Sequence, residues 1–160
     1  MCGAQSYLPD KLELSATGIG LNEAELQANS QLQTYVVQNV NTNAVLPFAD
    51  NEFDAITYTA AVEYLVDPFR SFTEFCRLTR PGGKIIMTFT DHWNNVKSIR
   101  LWSELHPFER MALVLDYCAR AGMQDLHTET IQGLLRPEDD KLASKKLYAD
   151  PVYAVYGTVL

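Results

Sequence analysis

Side chains able to do chemistry come directly after predicted β-strands. One strand is predicted at 53–59 and another at 84–90, and a histidine lies in the polar segment after the second. The carboxyl ends of parallel strands meet at one edge of an open α/β sheet, where ligands bind, so residues at the two ends are expected to lie close together. They are Thr59, Ala60, His92 and Trp93. The pattern predicts a small-molecule site that includes His92 and Trp93.

The chemical role of that site stays open at the level of single residues. His92 is a candidate general base, because an imidazole titrates near neutral pH. A single loop histidine is more often inert, and Trp93 either lines an acceptor pocket or packs. No side chain is therefore assigned a catalytic role.

Signatures of metal and nucleophile chemistry are missing from the sequence. The three cysteines (Cys2, Cys76 and Cys118) are widely spaced, and no Cys and His arrangement has the spacing of metal ligands. Neither a phosphate-loop motif nor a Gly-x-Ser-x-Gly elbow occurs. We therefore expect no metal site, and an odd number of reduced thiols fits a cytoplasmic protein.

Composition narrows the class of partner. The chain has 160 residues, of which 47% are hydrophobic and 21% charged, and its net charge is −7. A negative surface repels a phosphate backbone, so we expect no nucleic-acid partner. No apolar run approaches the roughly 18 residues of a membrane span, so we expect no membrane association.

Strand-like and helix-like patterns alternate along the chain. This order predicts an α/β fold with a mostly parallel sheet, in a single domain over residues 1–160. Further strands are predicted at 13–20, 35–37, 125–131 and 152–159. Helices are predicted at 21–28 with Asn22 as the N-cap, from Pro68 to the turn at Arg80 with Leu78 at the edge of the apolar face, and over 99–121 with a break near His106. The last two strands, joined by the polar loop 133–150, are expected to form an antiparallel hairpin.

Two segments carry most of the functional information, and they lie about 20 residues apart. The first contains Leu46-Pro47-Phe48 and Phe53-Asp54, and the second contains Arg77 and Pro81-Gly82-Gly83. In type, order and spacing they resemble the class I S-adenosylmethionine-dependent methyltransferases, particularly the small-molecule group called type 11. In that family such segments lead into the fourth and fifth strands. The resemblance implies a Rossmann-like, mostly parallel sheet with helices on both faces, and methyl transfer from S-adenosylmethionine to a small molecule.

The resemblance also indicates residues for the cofactor. The acid that ends the family's second strand falls on Gly20, with Asn22 close behind it. The acid after the third strand falls on Asn39, beside Val40, and an amide can still hydrogen-bond to adenine. Asn39 as a turn-capping loop residue is an equal alternative. Thr59 and Ala60 follow the family's fourth strand, where small residues leave room for a ligand.

The first strand of the family has no counterpart in this sequence. Only 12 residues precede residue 13, and they resemble the segment that follows this strand in a divergent subgroup. Cys2 and Gly3 would then lie nearest the methionine end of the cofactor, or else belong to a frayed terminus. Loss of a central strand leaves a strand edge unpaired, which favours closing up of its neighbours, self-association into a homo-oligomer, or a longer gene product.

Two functional hypotheses therefore remain open. The first is a methyltransferase that acts on a small molecule. The second is a non-catalytic or truncated methyltransferase-like domain that serves binding or assembly.

Overall fold

The computed structural model describes residues 8, 9, 11 and 13–160. The chain divides into two compact units, which we call unit 1 (residues 1–46) and unit 2 (residues 47–160). Cys2 and Gly3 lie outside the described residues, so their role at the cofactor stays a prediction. The assignment of the chain to a single domain also stays a prediction.

Unit 1 contains a short β-α-β arrangement. Strand β1 (Thr17–Gly20) is followed by helix α1 (Glu23–Ala28) and strand β2 (Thr34–Val37). The two strands pair in parallel, with Gly20 opposite Val37 at their carboxyl ends. Asn22 caps α1 as predicted, and its Nδ2 donates to Glu25 Oε1 at 3.0 Å.

Unit 2 contains a mixed four-stranded sheet. Its strands are β3 (Phe53–Thr59), β4 (Thr79–Thr90), β5 (Gln124–Ile131) and β6 (Val152–Thr158), in the order β3-β4-β6-β5. β3 and β4 are parallel, and β6 runs antiparallel to both β4 and β5. The predicted antiparallel hairpin at the end of the chain is therefore confirmed.

Three α-helices and a 3-10 turn complete unit 2. They are the turn Val62–Tyr64, α2 (Pro68–Leu78), α3 (Arg100–Glu104) and α4 (Pro107–Arg120). Pro107 is the first residue of α4, so the predicted break near His106 is confirmed. Within α2, Leu78 was expected at the edge of the apolar face but is fully buried, whereas Phe69 is half exposed against Tyr117. The buried face of α2 therefore begins after Phe69 and extends to the last residue of the helix.

Residues 47–54 of the first motif segment contact the second motif segment directly within unit 2. The guanidinium of Arg77 donates to the Phe48 carbonyl at 3.1 Å and forms ion pairs with Asp50 and Glu74. These hydrogen bonds raise the pKa of Arg77, first through Glu74 and then through Asp50. The motif therefore fixes the chain entering β3 to the end of α2, which is a structural role.

The Pro81-Gly82-Gly83 turn lies inside β4, because the strand begins at Thr79 rather than at the predicted residue 84. Phe53 pairs with Thr79 but Ala55 pairs with Lys84, so the turn forms a bulge. Gly82 has φ of +81°, and a Cβ on Gly83 would lie 2.7 Å from the Asp54 carbonyl oxygen. Both glycines are thus required by the bulge.

The strands form two separate sheets. β1 and β2 form one and the four strands of unit 2 form the other. Over residues 13–160, β4 is the only strand hydrogen-bonded to β3, and the absence of the family's first strand stays a prediction. None of the helices in the described part of the chain has the length and apolar character needed to cross a membrane.

Candidate functional site

The carboxyl ends of β3 and β4 open into a cleft of about 440 Å³ in unit 2. The side chains that line it follow those two strands: Ala60, Glu63, Tyr64, His92, Trp93 and Asn94. Three of the four residues predicted at these strand ends (Ala60, His92 and Trp93) therefore come together. We refer to this feature below as the cleft.

The turn after β3 is fixed by the backbone conformation and hydrogen bonding of Ala60. Ala60 adopts φ of +48°, and its amide donates to the Thr88 carbonyl at 2.8 Å. The fourth predicted residue, Thr59, lies beside the cleft, and its hydroxyl accepts a hydrogen bond from the Thr88 hydroxyl at 3.1 Å. Thr59 thus joins the two strands, while the small side chain of Ala60 leaves the cleft open.

Hydrogen bonds also fix the loop after β4. The His92 amide donates to Thr90 Oγ1 at 3.1 Å, and the Asn94 amide donates to the Tyr64 hydroxyl at 3.0 Å. The Ile99 amide donates to the Glu63 carbonyl at 2.9 Å. The walls of the cleft are therefore tied to each other. The imidazole of His92 is exposed, and its role as a base stays a prediction.

The buried side chain of Arg110 packs against Trp93, one of the residues that line the cleft. The Arg110 guanidinium lies 3.9 Å from the centre of the Trp93 ring, and its Nε donates to the Trp102 carbonyl at 3.0 Å. Its Nη1 is 3.8 Å from Asp91 Oδ1, while Asp91 Oδ2 accepts a 3.2 Å hydrogen bond from the Tyr153 hydroxyl. Burial lowers the pKa of Arg110, which nevertheless remains a cation. This cluster holds Trp93 in one orientation.

Glu63 is the residue of the cleft that the sequence analysis missed. Its side chain is almost fully buried, at 2% exposure, and its Oε2 has no hydrogen-bond partner among the described residues. Burial raises the pKa of Glu63. A signal was present in the sequence, because Glu63 is the one charged residue in the apolar run 60–65 that directly follows a strand.

The predicted cofactor residues of unit 1 share one edge. Gly20 and Val37 pair at the carboxyl ends of β1 and β2, and the Gln38 amide donates to the Gly20 carbonyl at 3.0 Å. Asn22 and Asn39 follow those two ends, and Val40 is half-buried beside them. The sequence therefore predicted their common edge, while their contact with a cofactor stays a prediction.

The side-chain oxygens at this edge serve local structure. Asn22 Oδ1 accepts from the Ala24 amide at 3.1 Å, and Asn39 Oδ1 accepts from the Asn41 amide at 3.0 Å. The side-chain oxygen of Asn39 therefore has the turn-capping role that was the alternative to cofactor binding. A role of Asn39 towards adenine would use the amide nitrogen, which can only donate.

These groups fit an adenosine-containing cofactor only in part. The amide and backbone groups after β2 match the hydrogen-bonding edge of an adenine. At the end of β1, Gly20 offers no carboxylate for a ribose diol, and the next acid, Glu23, accepts from the Tyr35 hydroxyl at 3.4 Å. Unit 1 therefore matches the base better than the sugar.

The described residues offer neither a cluster of metal ligands nor, at Cys118, an ionised thiol. The described residues contain no group of three His, Cys, Asp or Glu side chains that could hold a metal ion. Burial raises the pKa of Cys118 to about 12, so its thiol stays protonated and packs in the core.

Curated relatives match only a short stretch of the chain. A demethylmenaquinone methyltransferase from Paenarthrobacter aurescens is 36% identical over 61 residues, which is 38% of this chain and 22% of that protein. Another, from Renibacterium salmoninarum, is 40% identical over 47 residues, or 29% of this chain and 20% of that protein. The matching stretch thus spans about a fifth of the length of these relatives.

Solved structures share the fold across most of the chain. A SAM-dependent methyltransferase from Thermotoga maritima covers 90% of this chain and 72% of its own, with 16% identity and a TM-score of 0.61. The match to a SAM-dependent methyltransferase from Archaeoglobus fulgidus covers 89% of this chain and 75% of that protein, with 13% identity and a TM-score of 0.59. The third is the phosphoethanolamine N-methyltransferase 2 of Haemonchus contortus, solved with S-adenosylhomocysteine. This match covers 91% of this chain and 44% of that protein, with 14% identity and a TM-score of 0.58.

The family itself is shown by a match of sequence rather than of shape. The type 11 family model, described as a methyltransferase domain, matches residues 2–87, which is more than half of the chain. The match includes both motif segments and ends within β4. The chain therefore belongs to the type 11 methyltransferase domain family.

Proposed function

We propose that this chain transfers a methyl group from S-adenosylmethionine to a small molecule that binds in the cleft. The family match over residues 2–87 carries the proposal. One structural neighbour described as SAM-dependent and another solved with S-adenosylhomocysteine support the same cofactor. The cleft supports the acceptor part, since it opens at the carboxyl ends of parallel strands.

Methyl transfer asks little of the protein beyond positioning. S-adenosylmethionine, when bound, supplies an electrophilic methyl group on a sulfonium sulfur. The chain's own residues orient the acceptor: Arg110 holds the Trp93 ring, and the Asn94 amide holds the Tyr64 hydroxyl. A fixed acceptor removes much of the entropic cost of bringing two reactants together.

The proposal extends to partners and location. The net charge of −7 supports a small-molecule partner and disfavours nucleic acid, and we propose a cytoplasmic protein that does not associate with membranes. The second edge of β3, with Asp54, Ala55 and Thr57 exposed, supports self-association into a homo-oligomer. Light scattering coupled to size-exclusion chromatography tests this part, and a strict monomer at high concentration contradicts it.

Calorimetric titration of the full chain with S-adenosylmethionine tests the central proposal. We expect saturable binding of S-adenosylmethionine and of S-adenosylhomocysteine, with adenosine triphosphate as a non-binding control. A transfer assay with a labelled methyl group then follows on any acceptor that binds. Absence of binding at millimolar S-adenosylmethionine overturns the proposal and leaves the non-catalytic alternative.

A further inference from the structure

The cleft contains a buried acid, Glu63, with no direct cationic partner among the described residues. Glu63 forms no ion pair among the described residues, and its Oε2 has no hydrogen-bond partner there. Such a group costs free energy in the folded protein unless a ligand supplies the missing donor. Because Glu63 also lines the cleft, a ligand in the cleft is placed to be that donor.

None of the charged and titratable groups described near Glu63 donates a hydrogen bond to its Oε2. The charge of Arg110, buried nearby, lowers the pKa of Glu63 but does not outweigh its burial. The Arg110 nitrogens contact Trp102 and Asp91 instead of Glu63, and the guanidinium lies against the Trp93 ring. The phenol of Tyr58 remains protonated, because burial and the charge of Glu63 both raise its pKa. The cleft therefore combines an acid with aromatic surfaces.

We propose that the cleft binds a small-molecule amine, with its ammonium group donating to the Glu63 carboxylate and its apolar part lying against Tyr64 and Trp93. The inference rests on the proposed function, since it names the class of methyl acceptor. A cation also suits a chain with a net charge of −7, which attracts positive ligands. Aromatic rings beside the cleft favour a cationic group with attached apolar surface.

The proton balance of the transfer is consistent with this arrangement. The amine must lose a proton before its nitrogen lone pair can form the new C–N bond, and the Glu63 carboxylate can accept that proton. The C–S bond breaks as the C–N bond forms, and its electron pair returns to sulfur, so the sulfonium becomes a thioether. The ammonium group of the bound amine favours the ionised carboxylate, and once its proton has moved to Glu63, burial favours the neutral carboxyl.

Three small probes of nearly equal size test the class of ligand. They are tyramine, its neutral counterpart 2-(4-hydroxyphenyl)ethanol, and its acidic counterpart 3-(4-hydroxyphenyl)propionate. Titrations of the full wild-type chain followed by NMR should show tyramine binding at least tenfold more tightly than the other two. Equal or tighter binding of the alcohol or the acid overturns the inference without any variant.

A variant then locates the contact. Glu63→Gln should weaken tyramine binding at least tenfold and leave the alcohol unchanged, because it removes the charge while keeping the shape. The matched control is Glu138→Gln, in an exposed loop outside the cleft, which should change neither. Unchanged tyramine binding in Glu63→Gln contradicts the assignment.

A separate measurement distinguishes failure of this inference from failure of the proposed function. Equilibrium dialysis with S-adenosylmethionine, in the absence of any amine, reports on the cofactor alone. Cofactor binding without preference for the amine overturns only the amine inference. Amine binding at Glu63 without cofactor binding overturns methyl transfer and keeps the cleft as an amine site.

Discussion

Units 1 and 2 use the same local topology but differ in what supports it. Each has a pair of parallel strands whose carboxyl ends carry residues predicted for ligand binding. In unit 1 the pair stands alone, and the asparagine oxygens after the strands cap a helix and a turn. In unit 2 the pair belongs to a four-stranded sheet, and a buried arginine cluster fixes the loop beside it.

The difference shows that the same pair of parallel strands can have very different structural support. A two-stranded sheet buries little apolar surface and is marginal by itself in water. The larger sheet of unit 2 supports a core that includes Phe72, Ile85 and Phe89, each at most 1% exposed. Loops held against such a core keep groups such as Glu63 in place. We therefore expect changes in unit 2 to act through its core, and changes in unit 1 through single polar groups.

The largest effect is expected from Phe72→Ala, which removes a fully buried ring in contact with Phe75 and Tyr117. The free energy of unfolding should fall by about 3–5 kcal/mol, because a cavity remains in the core. Urea denaturation followed by tryptophan fluorescence measures this in unit 2, where both tryptophans lie. The control, Phe108→Ala, removes a ring that is 76% exposed and should cost less than about 0.5 kcal/mol. Equal losses in the two variants would contradict a core centred on Phe72.

The next effect sharpens the comparison by placing a carboxylate at the end of β1, where the family has an acid and this chain has Gly20. Gly20→Asp should raise the affinity for S-adenosylmethionine about tenfold, since a hydrogen bond to a charged group contributes about 1.5–3 kcal/mol. Calorimetry on the variant and on Gly20→Ala measures the gain. An equal gain in the alanine variant would show that the carboxylate is not responsible, and no gain in either would remove Gly20 from the cofactor edge.

A smaller effect is expected from Asn22→Ala, which removes the cap of α1. Loss of a capping side chain costs about 1 kcal/mol. Hydrogen exchange resolved by segment should therefore show faster exchange of the amides of Ala24 and Glu25, which Asn22 Oδ1 protects. Asn95→Ala, in an exposed loop of unit 2, is the control and should leave those amides unchanged. Unchanged protection in Asn22→Ala would mean that other groups fix the start of α1.

The smallest expected effect is a change in pH dependence at Glu63. Its pKa is raised in the folded chain by burial, so the folded state binds its proton more tightly than the unfolded state, in which a glutamate has a pKa of about 4.3. This residue therefore makes the wild type less stable as the pH rises from about 4 towards neutrality. Glu63→Gln removes that dependence, so its stability relative to wild type should increase over the same range. Urea midpoints at pH 4, 5, 6 and 7 measure the difference, and a constant difference would show that Glu63 is solvated.

Much of the fold was predictable because its signals are local. The cap at Asn22, the start of α2 at Pro68 and the break at Pro107 each depend on a few neighbouring residues, and all three are confirmed. The early start of β4 was not predictable in this way. It depends on distant partners, including a 2.8 Å hydrogen bond from the Gly82 amide to the Val159 carbonyl.

The residues of the candidate site also divide into those that the local sequence predicts and those that depend on tertiary packing. Ala60, His92 and Trp93 were predicted from their position after strands, and topology brings them into one cleft. Glu63 and Arg110 were missed, because their importance comes from burial. Burial depends on how α4 and the turn after β3 pack, which the sequence pattern does not show.

The place of β6 in the sheet has a consequence for synthesis of the protein. β6 lies between β4 and β5, although it follows both of them in the chain. During translation β5 emerges first and has no strand to pair with until residues 152–158 follow. Its ladder groups stay exposed during that interval, and exposed strand edges in partly folded chains promote aggregation. Chaperone demand during expression should therefore depend on how soon β6 leaves the ribosome.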